Sequence, residues 1–181
     1  KLPNLAKFLE DGTRSELTTT YPPLTAPAWV SFMTGCNPGR HGVYDFLTGD
    51  PESEDVVNHS SIQVPTLWDL LSDRERRLGL VNVPVTYPPP DLNGHVLSGP
   101  LSSSDPRESS RPPELIEELE EKTGTEWWHR SHADITPSKP LKYFEAHLRD
   151  NRAMAEYSLR MLKDYDYDFF MVLRVGRFEQ V

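Results

Sequence analysis

The chain has 181 residues, 36% of them hydrophobic and 26% charged, enough for about one domain with a real core. Its net charge of −9 and pI of about 5.1 exclude a protein that coats duplex nucleic acid. A mean hydropathy of −0.58, with no apolar run near the roughly 20 residues of a membrane span, excludes a membrane helix.

In chain order, Leu2, Leu5, Phe8 and Leu9 recur at helical spacing, and Asp11-Gly12 supplies a stop. "TRSELTT" (13–19) alternates like a short strand. Pro27 stands where a helix can begin, and "AWVSFM" carries that helix to Thr34-Gly35. Pro65 and Thr66 open another helix through "LWDLLSDRERR", whose basic end, interrupted by Glu75, reads as solvated. "LGLVNVPV" (78–85) is a continuous apolar run bounded by proline, the pattern of a buried parallel strand, and "GHVLSG" (94–99) is a weaker strand. "RPPELIEELEEKTG" (111–124) predicts an acidic helix stopped by Gly124, and a further helix is expected over 143–163. "DFFMVLRV" (168–175) is the last strand. Alternating strands and helices without repeats predict an α/β domain with a mainly parallel sheet.

The single cysteine, Cys36, can form no internal disulfide and no thiolate zinc site, and fits a reducing compartment. No secretion signal is visible, so a cytoplasmic location is expected. The first residue is not Met, and the last strand runs straight into the terminus. Both features read as a piece cut from a larger protein, with residues 1–181 part of one domain.

Several residues carry candidate chemistry. Thr25 lies two before Pro27, near the N-cap of the expected helix, so its hydroxyl is either a cap or a group placed at an anion-binding helix end. Such a hydroxyl becomes a nucleophile toward phosphorus when a metal lowers its pKa. Ser31 and Thr34 are expected to bond back to helix carbonyls. His41 reads as a hydrogen-bonded anchor in a turn rather than a metal ligand. His129 and His132 have i, i+3 spacing but no acidic third ligand beside them. Trp127 and Trp128 are expected to pack locally. Asp164, Asp166 and Asp168 form a solvated approach to the last strand, since Phe169 stands where a calcium loop needs glycine. No GxGxxG or P-loop pattern is present.

"PPLTAPAWVSFMTGCNPGRHGVYDF" resembles the nucleophile segment of the type I phosphodiesterase and nucleotide pyrophosphatase branch of the alkaline phosphatase superfamily. Thr25, Pro27, Thr34-Gly35, Pro38 and His41-Gly42 match in order and spacing. "VPTLWDLLSDRERRLGLVNVPVTYPP" and "YDYDFFMVL" resemble the segments that follow, so the likeness covers most of the chain.

The resemblance implies an alkaline-phosphatase-like three-layer sandwich with a mainly parallel central sheet. It also implies two divalent metal ions, zinc by analogy, and a small-molecule phosphate ester as substrate. Thr25 would ligate one ion, attack phosphorus and form a covalent intermediate that water resolves. The other Asp and His ligands are expected before Leu2 and after the 168–175 strand, where this chain reads "RVGRFEQV" instead of a D-x-x-x-H pattern. Nucleotide-cleaving relatives carry Asn where this chain has Phe46, which argues against nucleotide pyrophosphatase specificity. The alternatives are a phosphomutase or phosphotransferase of the same superfamily, or a non-catalytic member that has lost its metals. Thr25 cannot become the aldehyde that sulfatases use and Cys36 lies beyond the TG step, which argues against a sulfatase.

Overall fold

The computed structural model describes residues 3–48, 55–100, 102–103, 105–127 and 140–174. Its helices are α1 (Pro3–Asp11), α2 (Thr25–Thr34), α3 (Pro38–His41), α4 (Leu67–Ser72), α5 (Leu115–Thr123) and α6 (Pro140–Asp164). Its strands are β1 (Leu78–Val83), β2 (Gly94–Ser98), β3 (Ser110–Arg111) and β4 (Phe169–Val172).

The four strands form one sheet in the order β3-β2-β1-β4. β1 pairs in parallel with β2 from Leu78↔Gly94 and with β4 from Leu78↔Phe169, while β3 joins β2 antiparallel. All six residues of β1 are buried, because a strand flanked by parallel neighbours and covered on both faces has no solvent side. Successive side chains still alternate between layers. Leu78, Leu80 and Val83 join Ala26, Val30, Met33, Val43 and Trp68 from the layer of α2 and α4. Val81 and Leu97 point the other way, into Leu115, Ile116, Leu119, Trp127, Met154, Tyr157 and Met161 around α5 and α6. At about 1.5–3 kcal/mol per fully buried large apolar side chain, these two clusters dominate the favourable side of folding. The result is the three-layer α/β arrangement of the alkaline-phosphatase-like fold.

Local chemistry explains where elements stop. Gly35 adopts φ 64° and closes α2 by donating its N–H to the Ser31 carbonyl, a left-handed cap that a side chain would strain. Gly124 closes α5 in the same way. The β1 run ends two residues earlier than its apolar pattern suggests. Asn82 (φ 57°) makes the ladder slip between Val81 and Val83, and Val85 (φ 59°) leaves the extended region altogether. α4 ends at Ser72 rather than continuing through the arginines, because the chain turns at Glu75 (φ 58°). The helix expected from 111 begins only at Leu115, since Ser110 and Arg111 are drawn onto the sheet as β3.

The expected strand over 13–19 does not form. Residues 13–19 are exposed, Leu17 at 97%, and no strand among the described residues pairs with them, so alternation there has no buried face to serve. α1 does form and stops at Asp11, but Phe8 and Leu9 remain 76% and 62% exposed. Trp127 packs locally as expected, stacked on Tyr157 at 6.4 Å and 1% exposed. Trp128, His129 and His132 lie outside the described residues, as does 175–181, where "RVGRFEQV" replaces the expected ligand pattern after its first residue.

Candidate active site

Thr25 is the first residue of α2, not its cap. The cap is Leu24, in extended conformation with no side-chain bond, and the Ala28 N–H donates to the Leu24 carbonyl at 3.1 Å. The helix therefore starts two residues before Pro27, and Pro27 occupies a first-turn position where its missing N–H costs nothing. The Thr25 and Ala26 amides point out of the first turn with no protein acceptor among the described residues. Ala26 and Pro27 are buried against the core while Thr25 is exposed, so packing fixes the helix end and leaves its hydroxyl in solvent. No hydrogen bond among the described residues engages that hydroxyl. A free hydroxyl beside two free amides and the positive end of a helix dipole is suited to an anion.

The other end of the segment is clamped by His41. Its ring is completely buried. Nδ1 accepts from the Val43 N–H at 3.1 Å, so the proton of the neutral ring sits on Nε2, which donates to Ser31 Oγ at 2.9 Å. Burial lowers the His41 pKa from its ordinary value of 6.5 and keeps the ring neutral. This is an anchor, as the sequence suggests, and not a base. The tautomer that holds Val43 cannot take a proton from Ser31. Ser31 departs from the expected back-bond to its own helix, because His41 offers a donor across the α2–α3 corner. Thr34 does bond back, to the Val30 carbonyl at 2.6 Å. Gly42 completes the corner at φ 85°, where an added Cβ would collide with the Gln63 side chain at 2.5 Å.

The remaining sequence candidates are dispersed. Asp164 accepts from Lys122 Nζ and Arg160 Nε, each at 2.8 Å. Asp168 accepts the Arg77 N–H at 2.8 Å, and Asp166 is exposed. Cys36 is a free, half-buried thiol. His59 carries no motif and escaped sequence reasoning. It is half-buried, burial lowers its pKa against the pull of Asp69, and its Nε2 is buried without a partner among the described residues.

Among the described residues, no group of three or more His, Cys, Asp or Glu side chains could hold a metal ion. The donor set of a dinuclear site is therefore not met by the described residues, and Thr25 stands without carboxylate or imidazole co-ligands there. Among the same residues, no helix is long and apolar enough to cross a membrane.

No curated protein and no solved structure matches the chain. A family model described as type I phosphodiesterase / nucleotide pyrophosphatase matches residues 1–172, spanning both the Thr25 turn and the parallel sheet. The chain belongs to the type I phosphodiesterase / nucleotide pyrophosphatase family.

Proposed function

We propose that residues 1–181 form part of a phosphoric-ester hydrolase domain in which Thr25 is the nucleophile toward a small-molecule phosphate ester. The observation that carries this is the Thr25 hydroxyl itself, which is exposed at the first turn of α2 and engaged by no cap. Its Oγ would form a bond to phosphorus as the bond to the leaving alcohol breaks. Water would then cleave the threonyl phosphoester and free the hydroxyl. The Thr25 and Ala26 amides would receive charge developing on the non-bridging oxygens.

Two divalent ions, zinc by resemblance, belong to this reading, with Thr25 as a ligand to one of them. The described residues supply no other ligand set for these ions.

The test is turnover of a chromogenic phosphodiester in the protein that carries this chain, with rapid-quench mass spectrometry of the Thr25 peptide. The expected result is a phosphoryl mass increment on Thr25. Thr25→Ala should lose both the increment and at least about a thousand-fold of turnover. Full activity in Thr25→Ala would remove the assignment.

A further inference from the structure

A second constellation lies at the amino ends of the parallel strands, where Arg77 precedes β1, Asn93 precedes β2 and Tyr167 leads into β4. These residues, with His95, Tyr165 and Asp166, line a cavity of about 210 Å³. None of them belongs to the Thr25 turn.

The cavity has a built aromatic wall. The His95 ring lies on Tyr165 with centroids 4.0 Å apart, and the Tyr167 hydroxyl meets His95 Nδ1 at 2.9 Å. Tyr165 is held in turn by donating to Glu118 at 3.1 Å. Burial pushes the Tyr167 phenol well above its ordinary pKa, so it stays protonated. A phenol is a stronger donor than a neutral imidazole N–H, so Tyr167 donates to Nδ1. The His95 proton then sits on Nε2, which has no protein partner among the described residues.

The charges around the cavity are nearly all compensated, with one exception of each sign. Lys122 and Arg160 hold Asp164, Lys122 also holds Glu118, and Arg76 with the Arg77 N–H holds Asp168. Arg77 and Asp166 both line the cavity, and neither side chain makes an ion pair with the other or with any other described residue. The volume lies below the roughly 300–1,000 Å³ of sites for drug-sized ligands, which points to a small ligand.

From this geometry we infer that the cavity binds a small zwitterion. Its anionic group would sit against Arg77 and His95 Nε2–H, and its ammonium against Asp166 and the faces of Tyr165 and Tyr167.

The test is a ¹H–¹⁵N titration of the protein with β-alanine, using acetate and methylammonium as single-charge controls. Saturable shifts at the Gly94 and His95 amides are expected, with β-alanine binding at least about ten-fold tighter than either control. Arg77→Ala and Asp166→Ala replace exposed side chains outside the core. Each should weaken binding by about ten-fold or more with an unchanged melting temperature. No saturable shift up to about 50 mM would overturn the proposal. So would acetate binding as well as β-alanine, or either variant binding like the parent.

Discussion

Two threonines begin two helices on the same layer of this molecule, and they are opposites. Thr66 caps α4 and is 1% exposed; its Oγ1 accepts from the Asp69 N–H and donates to Asp69 Oδ2, which in turn receives the Thr66 N–H. The Thr66 and Asp69 amides of that turn are both satisfied by side chains, in a capping box. Thr25 sits one position further into its helix, is exposed, and is engaged by nothing in its own turn. In sequence both are threonines preceding an apolar helical stretch. A helix end satisfied by its own side chains is a structural device, and one left open is available to a ligand.

The largest effect that sharpens this contrast is on turnover. Thr25→Ala is expected to abolish phosphodiester cleavage, while its urea midpoint stays within about 0.5 kcal/mol of the parent, as for an exposed residue without a cap bond. If Thr25→Ala were as destabilised as Thr66→Ala, the two turns would be alike and the contrast would fail.

Next comes the clamp behind the open turn. His41→Ala removes a buried ring and leaves the Val43 N–H and Ser31 Oγ without partners. It should cost about 2–4 kcal/mol, read from equilibrium urea unfolding. His41→Asn keeps one polar group and should recover part of that loss.

The third expectation concerns pH. His41, His59 and His95 all have pKa values lowered from 6.5, chiefly by burial. The unfolded chain therefore binds more protons than the folded one below that value, so the contribution is complete above about pH 6.5 and is lost as pH falls through the folded values. Urea midpoints at about pH 7.5 and 5.5 should show lower stability at the acid value, with a shallower dependence in His41→Asn. A flat profile would show these rings titrating alike in both states. The lowered carboxyls Glu118 and Asp164 act at more acid pH, because their ordinary values are 4.5 and 3.8.

The smallest effect is at the closed turn. Thr66→Ala should cost roughly 1 kcal/mol, measured by the same unfolding curves, with little change in turnover.

Much of the scaffold was legible in the residues. The apolar run from Leu78, the glycines at 35 and 124, and the proline at 65 mark elements by rules that act within a few residues. The failures have one cause. The 13–19 segment alternates correctly yet stays coil, because a strand needs a neighbour that local pattern cannot promise. Ser31 turns from its own helix toward His41, ten residues away, and no spacing rule announces that partner. The pairing of His95 with Tyr167 spans 72 positions and left no trace in any motif.

The sequence by itself determined the family, through an ordered series of matches beginning at the Thr25 segment, and the α/β layering, through the spacing of apolar residues. Both depend on local order along the chain. Whether Thr25 is a cap or an open hydroxyl, which nitrogen of His41 carries the proton, and which charges around the amino-end cavity lack a partner were decided only by tertiary structure. Each depends on distances and burial between groups that the chain brings together only on folding.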